Sequence, residues 1–213
     1  MYLCNRICGS VFVTDGRLGV HFAEKYIQIM SEHILTEDDR LSACAGVAII
    51  KTKYPFYRGY QLAEQLCNNA KKEAHILEGT SWLDFYVSRG GFSGNLDEIR
   101  NSQYEIKEGC LSFGPYLIDK SNEEDKKNIV HLKKGIKTFL DREKWPRSKV
   151  YELRKYITLG KTPTKMYIEE MKLKGSKLYD IPGYTYSKDG WVDGMTPYAD
   201  MIELLDFYPD YFL

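Results

Sequence analysis

The sequence predicts an α/β (α+β) fold in two parts: a small sheet with packed helices, then a helical region. Three observations predict it. Strand-like and helix-like segments alternate over the first ninety or so residues. Residues 43–51 form a small-residue apolar run without polar alternation, the pattern of a strand covered on both faces. Beyond Asn122 the apolar spacing turns wholly helical.

The elements follow in order. Residues 10–13 (Ser-Val-Phe-Val) read as the end of a strand, and Thr14-Asp15-Gly16 as the turn after it. From Arg17 to about Ile34, Leu18, Phe22, Tyr26, Ile29 and Met30 recur at helical spacing, with Asp15 or Gly16 as N-cap. The apolar run 43–51 is the next strand. Tyr54-Pro55-Phe56 is a loop, because proline disfavours helix at the residue before it. Residues 57–73 are helical, with Tyr60, Leu62, Ala63, Leu66, Cys67 and Ala70 on the inner face. Residues 81–87 read as a third strand, ended by Gly90-Gly91. Residues 92–126 read as an irregular connection with one short strand at 104–106. Four helices are expected at 127–140, 148–159, 163–173 and 197–207. The boundary between the parts, 1–120 and 121–213, falls near residue 120.

Composition excludes some roles. Lys plus Arg and Asp plus Glu are both 30, so the formal net charge is zero, which argues against a generally basic nucleic-acid coat and leaves room only for a local basic patch. No apolar run approaches the roughly 18 residues of a membrane span, so no membrane partner is expected. The five cysteines are odd in number and lack zinc-finger spacing, which together with the absence of a signal peptide points to a reducing cytoplasm. The four histidines have no ligand-spaced partner, and Gly90-Gly91 lacks the Lys-Ser or Lys-Thr of a phosphate loop.

One set of segments is not generic. Ser42-Ala43-Cys44-Ala45-Gly46-Val47-Ala48-Ile49-Ile50-Lys51 is followed by Lys53-Tyr54-Pro55-Phe56, Leu62-Ala63-Glu64-Gln65-Leu66 and Asn69-Ala70-Lys71-Lys72. Val13-Thr14-Asp15-Gly16-Arg17 lies upstream and Ser81-Trp82-Leu83-Asp84-Phe85 downstream. Together they resemble the second palm domain of the large CRISPR polymerase subunit of type III effector complexes. Thr196-Pro197-Tyr198, with 202–207, is similar to the end of the helical region in free-standing relatives. The likeness is good over residues 10–90 and loose elsewhere.

The resemblance implies a partial ferredoxin-like palm, related to GGDEF and nucleotide-cyclase domains. Competent members join ATP into cyclic oligoadenylates for antiviral defence, using two Mg²⁺ ions held by a Gly-Gly-Asp-Asp turn. In this chain Cys8-Gly9-Ser10 stands at the position of that turn, and no acid precedes Asp15. The metals lose their anchor, so the expectation is a truncated product or a degenerate palm half. It would be a non-catalytic nucleotide-binding or interaction module, with ATP and Mg²⁺ as ligands only if a protein partner completes the site and sheet. The alternatives are an active nucleotidyltransferase borrowing acids from Asp15, Asp84 or a partner, and an RNA-contacting module.

Candidate residues follow. The resemblance implies that Lys71, expected at a helix end, approaches a triphosphate; a cation there also suits the helix dipole. Ser42 and Gly46 either let a base approach the sheet or allow tight helix packing. Asp84 is a metal ligand, or an acid facing solvent or capping a neighbour. Residues 133–155 are basic, with Lys133, Lys134, Arg147 and Arg154 among their cations and Trp145 and Tyr151 interleaved. That run either touches RNA or is a solvated helix face.

Overall fold

The computed structural model describes residues 15–208 except 33, 37–38, 89 and 91–93, and for 34–36 and 39–40 the backbone alone. The strand expected at 10–13, with Cys8-Gly9-Ser10, lies outside the described residues. The elements run α1 (Gly16–Glu32), β1 (Ile34–Thr36), β2 (Asp39–Arg40), β3 (Cys44–Ile49), α2 (Phe56–Ile76), β4 (Trp82–Val87) and α3 (Leu96–Gln103). Then come β5 (Glu105–Ile106), β6 (Gly109–Cys110), β7 (Tyr116–Leu117), α4 (Ile129–Leu140), α5 (Arg147–Leu159), α6 (Lys161–Leu173), α7 (Tyr186–Asp189) and α8 (Tyr198–Leu204). The fold is mixed α/β, as the sequence predicts.

The central sheet has the order β3-β4-β7. β3 and β4 are parallel, joined by the α2 crossover, with Cys44 beside Trp82 and Ile49 beside Val87. β7 adds antiparallel on the other side of β4. Side chains alternate across a strand, and adjacent residues of β3 face different helices. A Cβ on Gly46 would lie 2.1 Å from the Ala63 carbonyl oxygen of α2, whereas one on Gly19 of α1 would lie 3.2 Å from Val47. So α2 covers one face and α1 the other.

β3 is half-buried rather than fully buried. The cause is its place in the sheet: among the described residues β4 is its one paired strand. β4, in the middle, is buried throughout. Tyr60, expected on the inner face of α2, is 45% exposed; Leu62, Leu66 and Ala70 carry the packing instead.

The described part of the connection, residues 94–126, is more ordered than expected. Asn95 accepts the Glu98 amide and Glu98 accepts the Asn95 amide, a capping box that starts α3. Residues 105–106 pair with 109–110 as a small hairpin. Asn128 is fully buried and caps α4, and its amide nitrogen donates to the carbonyls of Asp119 and Asn122. One contiguous core runs from Val20 through the sheet to Tyr208, so buried contacts cross residue 120. Among the described residues no helix is long and apolar enough to cross a membrane.

Candidate functional site

Lys71 and Gly46 belong to the β3–α2 pair and Ser42 lies just before it, but the three do not surround a common space. Gly46 is covered by the α2 backbone: an added Cβ would meet the Cys67 nitrogen at 2.3 Å as well as Ala63. That space is filled by protein, so Gly46 serves helix packing, not approach of a base. Ser42 is exposed just before β3. Lys71 is half-buried inside α2, which continues to Ile76, so the expectation of a helix-end lysine is corrected. It neighbours Cys44, whose carbonyl accepts a bond from the Cys67 thiol at 3.4 Å. Burial pushes the Cys44 thiol up, outweighing the nearby Lys71 charge.

Asp84 neither faces solvent nor stands free for a metal. Its side chain is 2% exposed in the central strand, and Arg100 Nη2 reaches it at 2.7 Å. Asn69 of α2 donates to the same carboxylate at 2.8 Å, and the Phe85 amide at 2.9 Å. Burial pushes the Asp84 carboxyl up, against the opposing pull of Arg100. Asp15 is bound by Arg17, through the side chain and the backbone amide. Both acids named for the catalytic alternative are therefore engaged.

Three further buried acids were passed over in the sequence. Asp200 of α8 accepts the amides of Phe113 and Gly114 at 2.9 and 3.0 Å and the Tyr116 hydroxyl at 2.7 Å. Burial and the neighbouring Glu203 push its carboxyl up to about 6. Glu203 accepts the Tyr104 hydroxyl and an ion pair from Arg154. Glu24 of α1 holds Lys133 at 3.1 Å and accepts the Tyr208 hydroxyl. The signal was present as acids inside otherwise apolar helical stretches; a buried acid demands a partner. Among the described residues no group of three or more His, Cys, Asp or Glu is arranged to hold a metal ion.

The basic stretch is largely neutralised. Lys133 pairs with Glu24, Lys134 with Glu123, Arg147 with Asp206 and Arg154 with Glu203. Trp145 is buried, its indole donating to the Lys177 carbonyl at 3.0 Å. Trp145 therefore offers no ring to a base.

At the carboxyl end of β3 the structure holds a cleft of about 360 Å³ that the sequence did not single out, with Tyr54, Tyr57, Arg58 and Gln61 in its wall.

Comparison with models of known protein families finds no match, and comparison with curated proteins finds none either.

Proposed function

We propose that this chain is a CRISPR-polymerase-like palm module of antiviral defence, working in the cytoplasm, that binds a nucleotide without turning it over. The observation that supports this best is the parallel β3–α2–β4 unit. The motifs behind the resemblance form its strands and crossover, and Lys71 sits on that crossover beside the start of β3. Lys71 is the phosphate contact, a flexible point charge suited to that role. The lack of catalysis rests on the acids: Asp84 and Asp15 are tied to Arg100 and Arg17. Two-metal chemistry needs carboxylates free to hold cations. A partner strand completes the sheet along β3, opposite β4.

The test is calorimetry with ATP and Mg²⁺ on the whole chain and on Lys71→Ala, with chromatography for oligoadenylates. Binding that weakens in the variant, with ATP left intact, is expected. No binding by either protein, or turnover of ATP, overturns the reading.

A further inference from the structure

The cleft at the carboxyl end of β3 lies away from Lys71, between the first turns of α2 and Gly94 and Ile99 at the start of α3. Open α/β sheets take ligands at the carboxyl ends of parallel strands, where the connecting loops splay apart. Its volume, about 360 Å³, falls in the range of small-molecule sites.

Its chemistry is selective. Arg58 is the cation in the wall, and among the described residues that line the cleft none is acidic. The Tyr57 hydroxyl accepts from Arg58 Nε at 3.1 Å, and the guanidinium lies 5.8 Å from the Tyr57 ring centroid. That contact, with a second from the Tyr54 side chain, orients the fork toward the cleft; a guanidinium, with five N–H donors, matches a phosphate with two parallel hydrogen bonds. Tyr54 and Tyr57 add aromatic faces, which stack on any base. Gln61 both donates and accepts, as the edge of a base requires. Leu62 and Ile99, both buried, give the cleft an apolar floor. Gln65 is committed elsewhere: its side-chain oxygen accepts the Leu96 amide at 2.5 Å and so fixes α3 against α2.

From this arrangement we infer that the cleft is a mononucleotide site, with Arg58 on the phosphate, Tyr54 and Tyr57 against the base and Gln61 at the base edge. The inference goes beyond the Lys71 reading and does not depend on the family resemblance.

The experiment uses the full chain with AMP as probe. Calorimetry compares wild type, Arg58→Ala, Arg58→Lys and Lys71→Ala, and 8-azido-AMP photolabelling maps the site by peptide. Arg58 is half-buried at the surface of α2, and circular dichroism checks that its replacement leaves the fold intact. AMP binding is expected to weaken about tenfold or more in Arg58→Ala, the scale of a lost charged hydrogen bond. Arg58→Lys should recover part of the loss, and label should fall within residues 54–65. If Arg58→Ala binds AMP as wild type does, or label falls on the peptide with Lys71, the cleft inference is overturned and the Lys71 reading stands. If AMP binds as expected while ATP binding ignores Lys71, the cleft stands and the Lys71 reading falls. Absence of AMP binding by wild type overturns the inference, and so does a single-stranded RNA that displaces AMP and binds more tightly.

Discussion

Arg100 Nη2 lies 2.9 and 2.7 Å from the two carboxylate oxygens of Asp84, at the middle of the sheet. Arg100 comes from α3 and Asp84 from β4, so one ion pair ties the connecting helix to the central strand. A buried carboxylate stripped of its partner is costly, about 3–5 kcal/mol, unless it takes a proton. Arg100→Ala is therefore expected to destabilise the chain by about 3 kcal/mol at pH 7. In that variant the folded-state pKa of Asp84, already raised by burial, rises further. The folded state then holds its proton where the unfolded chain has lost it, so the cost shrinks as the pH falls. Urea denaturation at pH 4.5 and pH 7 checks this; an equal cost at both would show that Asp84 does not carry the effect.

Gly46 tests how tightly α2 is seated. A methyl there would sit 2.1 Å from the Ala63 oxygen and 2.3 Å from the Cys67 nitrogen, both backbone atoms of a 21-residue helix. Backbone cannot swing aside as a side chain can, so the whole helix must lift. Gly46→Ala is expected to cost about 2–3 kcal/mol, at the upper end of overpacking penalties. A midpoint within error of wild type in chemical denaturation would refute the close approach of α2 to β3.

These two contacts also mark what the sequence disclosed. The strand–helix–strand order was legible because β3, α2 and β4 carry strong local patterns: small apolar strands, a proline before the helix, and Leu62, Leu66 and Ala70 at helical spacing. The four later helices were legible for the same reason. Asp84 was misread because its partner lies sixteen residues on, in a helix whose apolar signal is only Leu96 and Ile99. The Asn95-x-x-Glu98 pattern would have announced that helix. Tyr60 was misplaced because helical spacing alone cannot tell which edge of an apolar stripe meets the sheet. Nor does spacing reveal that the basic run 133–155 would find its acids in α1, in the connection and near the chain's end.

Asp200 supplies a pH dependence. Its folded-state carboxyl stands at about 6, above the ordinary 3.8, chiefly through burial. A group raised on folding keeps its proton in the folded state longer than in the unfolded one. Its contribution to stability is present below the unfolded value and is lost as the pH climbs toward 6. Over that window the loss is of the order of 2–3 kcal/mol. Asp200→Asn cannot titrate, yet its amide oxygen can still accept from Phe113 and Gly114. The stability of the variant relative to wild type should therefore rise between pH 4 and pH 6.5. A difference that stays flat across that range would sink the assignment, and one that falls would reverse its sign.

The ion pairs of the basic stretch make a last pair of expectations, one on stability and one on RNA. Arg154 meets Glu203, a side chain only 3% exposed, whereas Lys134 and Glu123 are both half exposed and 3.9 Å apart. Removing the cation leaves Glu203 buried and unpaired apart from the Tyr104 hydroxyl, while Glu123 simply returns to water. Arg154→Ala should cost about 2–3 kcal/mol and Lys134→Ala less than about 0.5 kcal/mol. Since Lys133, Lys134, Arg147 and Arg154 already have acidic partners, few counterions remain to be released from a nucleic acid. Binding of single-stranded RNA should thus be weak at 150 mM salt, with a shallow dependence of log affinity on log salt. A steep slope that drops by about one for each of Lys134 and Arg147 removed would restore the stretch as an RNA surface, because only cations seated on phosphates leave that signature.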